Sequence, residues 1–221
     1  MTKLYLIRHG ETEGNKNARL CGITNIQLSE KGRKQLDCLA ERFRTVKLDR
    51  IYSSPLDRAY HTAEAVNRHH GLPVEKVRGL IELNAGDWEN VAWSEIRPRD
   101  PERYEIWKSD PARYEAPHGE AMRQIFSRIS YTVARLAKEC DGMDIALVSH
   151  GCALRNFLCH ARGWPLSRLG ELKYVENTSV TCVTYDGTFH IEYEDDSTHL
   201  PDELATVRYQ TWWNDFVTVK N

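Results

Sequence analysis

Residues 4–7, Leu-Tyr-Leu-Ile, make a short apolar run that stops abruptly on Arg8, His9 and Gly10. Such a run fits a buried strand, and a buried strand ending on two potentially cationic side chains is a strong constraint. Unpaired buried charge costs several kcal/mol, so the end of this strand must open on something anionic that is not part of the chain.

The pattern recurs along the sequence. Leu36, Leu39, Ala40 and Phe43 repeat at helical spacing, with Ser29-Glu30-Lys31 as a start signal. The run "DRIYSS" reads as a strand, and Ala59, Ala63 and Val66 mark a second helical face with Pro55 near its first turn. Met122, Ile125, Phe126, Ile129, Val133, Leu136 and Cys140 form one stripe, which predicts a helix from about 120 to 139. "DIALVSH" reads as a buried parallel strand and "CALRNFLCHARG" as a short helix ending at Gly163, while "SVTCVTY" and "FHIEY" form a hairpin turning at Asp186-Gly187. The expected fold is α/β: a three-layer sandwich with a mostly parallel central sheet, helices on both faces and an antiparallel edge.

Residues 87–118 break this rhythm with Trp88, Trp93, Trp107, Pro98, Pro101, Pro111 and many charges. They read as an insertion over one end of the sheet, with the tryptophans as cover rather than a ligand platform. Arg97, Arg99, Arg103, Lys108 and Arg113 read mostly as a solvated face. At 221 residues one core is expected, hence a single domain over 1–221 carrying the insertion at about 87–118. The tail from Asp195, with Trp212, Trp213 and Phe216, is too aromatic for a disordered segment and is expected to pack on the body or on a partner.

The formal charge is −2 with basic residues scattered, which excludes an electrostatic footprint for nucleic acid. Any anion must be caught locally. The six cysteines show no CxxC pair, and Cys152 and Cys159 sit in an apolar stretch, as free thiols in a reducing cytoplasm do. The N-terminus lacks the basic and apolar regions of a leader, and no run approaches the roughly 18 apolar residues of a membrane span. A cytoplasmic protein with no membrane partner is expected.

Ligands of open parallel sheets bind at the carboxyl ends of the strands. Arg8, His9, Arg58, Glu82 and His150 all fall at such ends, with a glycine after each histidine to let backbone come close. Two guanidinium forks and two imidazoles suit a phosphate dianion. A carboxyl beside bound phosphate would be pushed toward its protonated form, which makes Glu82 a candidate proton donor. One histidine can attack phosphorus as a neutral imidazole while the other, protonated, steadies the developing charge. No HExxH or clustered carboxylate motif offers a metal site, so no metal or other cofactor is expected. His61, His69 and His70 read as solvated.

"LIRHGETEGN", "SSPLDRAYHTA", "IELNAGDWEN" and "LVSHGCALR", in this order over residues 3 to about 186, resemble the histidine phosphatase superfamily, also called the phosphoglycerate mutase-like family. The resemblance implies His9 as a nucleophile forming phosphohistidine, Arg8, Arg58 and His150 as the phosphate pocket, and Glu82 as general acid and then base. It also implies that Asn15 contacts phosphate with Thr12 close by, and that Asn177 of "NTSVT" lies near the site. His118 occupies a turn that could reach the substrate. Mutases of the family carry a basic Arg-His segment after the acid, where this chain has Leu83, Asn84 and Ala85, so a phosphatase is favoured over a mutase. A phosphatase of α-ribazole phosphate and a non-catalytic binding module are the alternatives. The expected partner is a small phosphorylated substrate, and a homodimer stays open.

Overall fold

The computed structural model describes residues 1–207; the expected packing of Trp212, Trp213 and Phe216 lies outside them. In chain order the strands are β1 (Thr2–Arg8), β2 (Arg19–Leu20), β3 (Arg50–Ser53), β4 (Val74–Lys76), β5 (Val91–Ala92), β6 (Asp144–Ser149), β7 (Val180–Tyr185) and β8 (Phe189–Asp196). The helices are α1 (Glu13–Lys16), α2 (Glu30–Phe43), α3 (Asp57–Asn67), α4 (Trp93–Arg99), α5 (Pro101–Ser109), α6 (Met122–Glu139) and α7 (Gly151–Ala161). The main sheet runs β4-β3-β6-β1-β7-β8. Its first four strands are parallel, while β7 and β8 add an antiparallel edge.

Alternation along β1 and β6 builds the three layers, because successive side chains of a strand face opposite sides. Leu4, Leu6, Ile145 and Leu147 pack with α6 and α7, and Ile7, Ala146 and Val148 pack with Leu39 and Phe43 of α2 and Ala59, Ala63 and Val66 of α3. The stripe read for α6 is that buried face, from Met122 to Leu136; Phe126 is only partly buried and meets His160 edge-on. Ser29 caps α2 by accepting from the Gly32 amide. Pro55 precedes the cap of α3, which is Leu56, so it shapes the entry to that helix instead of its first turn. No helix among the described residues is long and apolar enough to cross a membrane. All six cysteines are free thiols.

The segment 87–118 folds into α4, α5 and short connecting turns, and its apolar side joins the α6/α7 layer. Trp88, Trp93, Trp107 and Tyr114 pack on one another, with Trp107 and Tyr114 edge-to-face at 4.7 Å. The arginines read as solvated, Arg97, Arg99, Arg103 and Arg113, are exposed, and Lys108 is half-buried. A two-stranded ladder, Arg19 opposite Ala92 and Leu20 opposite Val91, ties the base of this segment to the chain that follows α1.

Candidate active site

Strands β1 and β6 run side by side in register, with Arg8 opposite Ser149, so His9 and His150 emerge together. The His9 amide donates to the Ser149 carbonyl at 3.0 Å, and the two imidazole centres lie 5.1 Å apart. Arg58 arrives from the first turn of α3, and Glu82 from the connection after β4. The five residues drawn from the strand ends are all buried at this one edge. A cleft with about 510 Å³ of empty space opens there, walled by Arg8, His9, Asn15 and Glu82 on its polar side. Leu20, Leu83, Trp93, Trp107 and Tyr174 give the same lining its apolar part.

His9 Nδ1 lies 2.7 Å from the Gly10 carbonyl, an acceptor only, so Nδ1 carries the proton and Nε2 keeps its lone pair. Burial, reinforced by the Arg58 and Arg8 charges, holds this imidazole well below its ordinary pKa. The ring is therefore neutral at physiological pH, with its lone pair on Nε2. His150 is shifted the same way, first by burial and then by Arg58, so both imidazoles are neutral here. The sequence leads one to expect one of them protonated; the difference arises because burial, reinforced by two guanidinium groups, opposes a further positive charge.

The Glu82 carboxylate accepts from the amides of Leu83 at 2.8 Å and of Cys152 and Ala153 at 3.0 Å each, the last two at the N-terminus of α7. These bonds and Arg58 favour the ionised form, yet burial outweighs them and its pKa stands above the usual carboxyl value. The shift expected from a phosphate neighbour is therefore built in by burial alone. The two carboxyls that follow Glu82 in the chain, Asp87 and Glu89, are not part of the cleft wall. Glu89 is held by the amides of Ile23, Thr24 and Ala85, and Asp87 pairs with His118.

Arg58 is fixed by carbonyls, donating to Gly22 at 2.6 Å, Thr24 at 2.9 Å and Cys21 at 3.4 Å. Arg8 donates to the Val175 carbonyl at 2.6 Å. Arg58 Nε and His150 Nδ1 are buried without a hydrogen-bond partner among the described residues, a state that costs free energy. His150 Nε2 is 2.7 Å from Ser54 Oγ, an orienting contact the sequence reading missed.

Of the two glycines, only Gly151 does the job expected of both. A Cβ on Gly10 would come within 2.5 Å of Leu36, so its smallness serves packing on α2. A Cβ on Gly151 would lie 3.4 Å from Arg8 Nε, so this glycine does leave room at the site.

The remaining predicted residues divide. Asn15 lines the cleft, its Oδ1 taken by the Thr12 amide and hydroxyl, which leaves its Nδ2 for a ligand. Thr12 is fully buried as the cap of α1 and supports Asn15 instead of facing the cleft. Asn177 is buried behind the site and donates from Nδ2 to the His9 carbonyl at 2.8 Å. His118 is exposed and paired to Asp87 at 2.9 Å, away from the cleft wall. Trp93 and Trp107, read as cover, form part of that wall, as do Arg19, Cys21 and Tyr174. Nothing in their local sequence marks them, because they reach the site through the fold of the 87–118 segment and the β2–β5 ladder. No three His, Cys, Asp or Glu side chains among the described residues are grouped to hold a metal ion.

Residues 4–192 match the model of the histidine phosphatase superfamily (branch 1), and the chain belongs to that family. It is 33% identical over 168 residues to phosphoserine phosphatase 1 of Hydrogenobacter thermophilus, covering 76% of this chain and 80% of that one. It is 31% identical over 171 residues to the adenosylcobalamin/alpha-ribazole phosphatase of Escherichia coli, covering 77% and 84%. The solved structure of Bacillus stearothermophilus YhfR superposes with a TM-score of 0.86 at 34% identity, covering 90% of this chain and 99% of that one.

Proposed function

We propose that this protein hydrolyses small phosphomonoesters through a phosphohistidine on His9. One observation carries the reading. The His9 Nδ1–H is committed to the Gly10 carbonyl, leaving Nε2 unprotonated in a cleft that it shares with Arg8 and a carboxyl biased toward its acid form.

In the first step Nε2 bonds to phosphorus as the ester P–O bond breaks, and Glu82 gives its proton to the departing alkoxide. Arg8, Arg58, Asn15 and His150 hold the phosphoryl oxygens and offset the charge that a metal ion offsets in other phosphoryl transfers. In the second step water attacks phosphorus, the P–N bond breaks, and Glu82 takes the water proton. Phosphate and neutral His9 are restored.

Residues 87–118 act as the cap over the leaving group. Their Trp93 and Trp107 favour a leaving group with an apolar face, and among the described residues Arg19 is the one cation besides Arg8 that lines the cleft, short of the cluster a mutase uses to clamp a carboxylate. The relatives' names span phosphoserine and α-ribazole phosphates, which supports a small phosphorylated metabolite as the substrate class.

The test is phosphate release from p-nitrophenyl phosphate, phosphoserine, phosphoglycerates, sugar phosphates and nucleotides, with and without EDTA. Release should resist EDTA and fall at least about 10³-fold in His9→Ala. Metal dependence, or full activity without His9, would refute the mechanism. Interconversion of 3- and 2-phosphoglycerate outpacing phosphate release would make the protein a mutase.

A further inference from the structure

The loop from His9 to Glu11 carries the nucleophile, and its backbone groups are bonded to residues far away in sequence. The His9 amide meets Ser149, the His9 carbonyl meets Asn177 Nδ2, the Gly10 amide meets Thr62, and the Glu11 amide meets Gln35 Oε1 at 2.8 Å. Two of these side-chain anchors are themselves held by one short segment near the end of the described chain. Gln35 Nε2 donates to the Leu204 carbonyl at 2.7 Å, and Asn177 Oδ1 accepts from the Thr206 hydroxyl at 2.9 Å.

The segment is docked independently of the loop. Lys31 Nζ donates to the Ala205 carbonyl at 3.2 Å. The amides of Thr206 and Val207 donate to the buried Glu176 carboxylate, which also accepts from the Asn177 amide at 2.9 Å. Ala205 and Thr206 are buried, although no regular element includes them.

We propose that Leu204–Val207 is a positioning strap for the nucleophile loop, and that Thr206 is its positioning residue. The chemistry lies in the Asn177 amide. The His9 carbonyl can only accept, so Asn177 must present its NH2 to it, and its Oδ1 then faces two further oxygens, Thr206 Oγ1 and, beyond it, Glu176 Oε1. The single Thr206 hydroxyl proton, shared between Glu176 and Asn177, is what makes that arrangement attractive. Without it Asn177 Oδ1 faces a carboxylate with no donor between, the amide turns, and the His9 carbonyl loses its anchor. Thr206 does not touch the cleft; it acts through Asn177 on where Nε2 of His9 stands.

The strap rests on the phosphatase reading above, and the experiment separates the two. Wild type, Thr206→Val, Thr206→Cys and Thr206→Ser are compared for kcat and KM on p-nitrophenyl phosphate, and for inhibition by orthovanadate, which resembles the transition state, and by inorganic phosphate, which resembles the ground state. Thr206→Val should lower kcat about tenfold to a hundredfold and weaken vanadate by a similar factor, with phosphate inhibition changed by less than about threefold. Thr206→Ser should return kcat to within about threefold of wild type. A merely structural threonine would lower the melting temperature but leave kcat and vanadate inhibition of the folded protein within about twofold, and that result overturns the proposal. Should Thr206→Val not fold, Thr206→Cys decides: its weak S–H donor predicts an intermediate loss of kcat, and a wild-type kcat overturns the strap. An active wild type with unaffected variants refutes the strap alone, whereas an inactive wild type refutes the phosphatase reading and the strap with it.

Discussion

Glu82 is gripped from outside the cleft by a residue that is not part of its wall. Arg128 of α6 donates from Nη1 to the Gly79 carbonyl at 3.1 Å and the Ile81 carbonyl at 2.8 Å, and from Nη2 to the Glu82 carbonyl at 3.3 Å. The same guanidinium forms a two-pronged pair with Glu120, at 3.0 and 2.8 Å, with side chains only 23% and 16% exposed. Arg128→Met keeps the aliphatic stem and removes every one of these bonds, leaving Glu120 as a largely buried charge without its partner. Breaking a buried pair costs about 3 to 5 kcal/mol, and the residual exposure favours the lower end, about 3 kcal/mol. For a chain of this size that is a fall of roughly 6 to 12 °C in melting temperature. The connection carrying Glu82 loosens, so kcat on an alkyl phosphate should fall about tenfold. KM should hold, because Arg8 and Arg58 are anchored elsewhere. Arg128→Lys keeps the charge but not the fork, and should fall between. Calorimetry and steady-state kinetics on the variants, with Glu120→Gln to complete a double-mutant cycle, check the reasoning. A Met variant that melts within about 2 °C of wild type, or losses that add without coupling, would refute it.

Two further outcomes follow from the electrostatics of the cleft. Glu82→Gln removes the proton donor but not the phosphate pocket, so kcat should fall about 10² to 10⁴-fold on serine or sugar phosphates and much less on p-nitrophenyl phosphate, whose leaving group needs no proton; equal losses on both would argue against Glu82 as the acid. His9 and His150 are held neutral by burial and neighbouring Arg charges, whereas in the unfolded chain each takes a proton below about pH 6.5. The unfolded state then binds more protons, so stability is lost as pH falls below about 6.5, by up to about 1.4 kcal/mol per pH unit for each histidine. Glu82, shifted upward, works in the opposite sense over its own interval. Urea unfolding at pH 7 and 5.5 should show a shallower loss in His150→Gln than in wild type, and identical slopes would refute the buried neutral imidazole.

Much of this was legible because charge burial is expensive and local. Arg8 and His9 at the end of an apolar run, and His150 at the end of another, pointed to one cluster wherever the strands ended together. The α6 stripe and the Ser29 cap were legible for the same reason, since a 3.6-residue period and a hydroxyl before a helix act within one or two turns. Residues whose role depends on non-local contact were not. Ser54, Arg128, Trp93, Trp107 and Thr206 are ordinary in their own neighbourhoods and acquire meaning from partners 96, 8 to 49, or about 29 residues away, or from a cap fold that no period encodes. His118 marks the converse error. A histidine in a glycine-containing turn looks free to reach a ligand, and here it is spent on Asp87 at the surface.

The parallel pairing of β1 with β6, Arg8 level with Ser149, fixes the spacing of the two imidazoles by backbone hydrogen bonds that no side chain can adjust. Losing or gaining a single residue inside either strand would swing one ring to the far side of the sheet. Descendants of this chain can thus vary the exposed positions of residues 87–118, while the count of residues leading up to each histidine stays frozen.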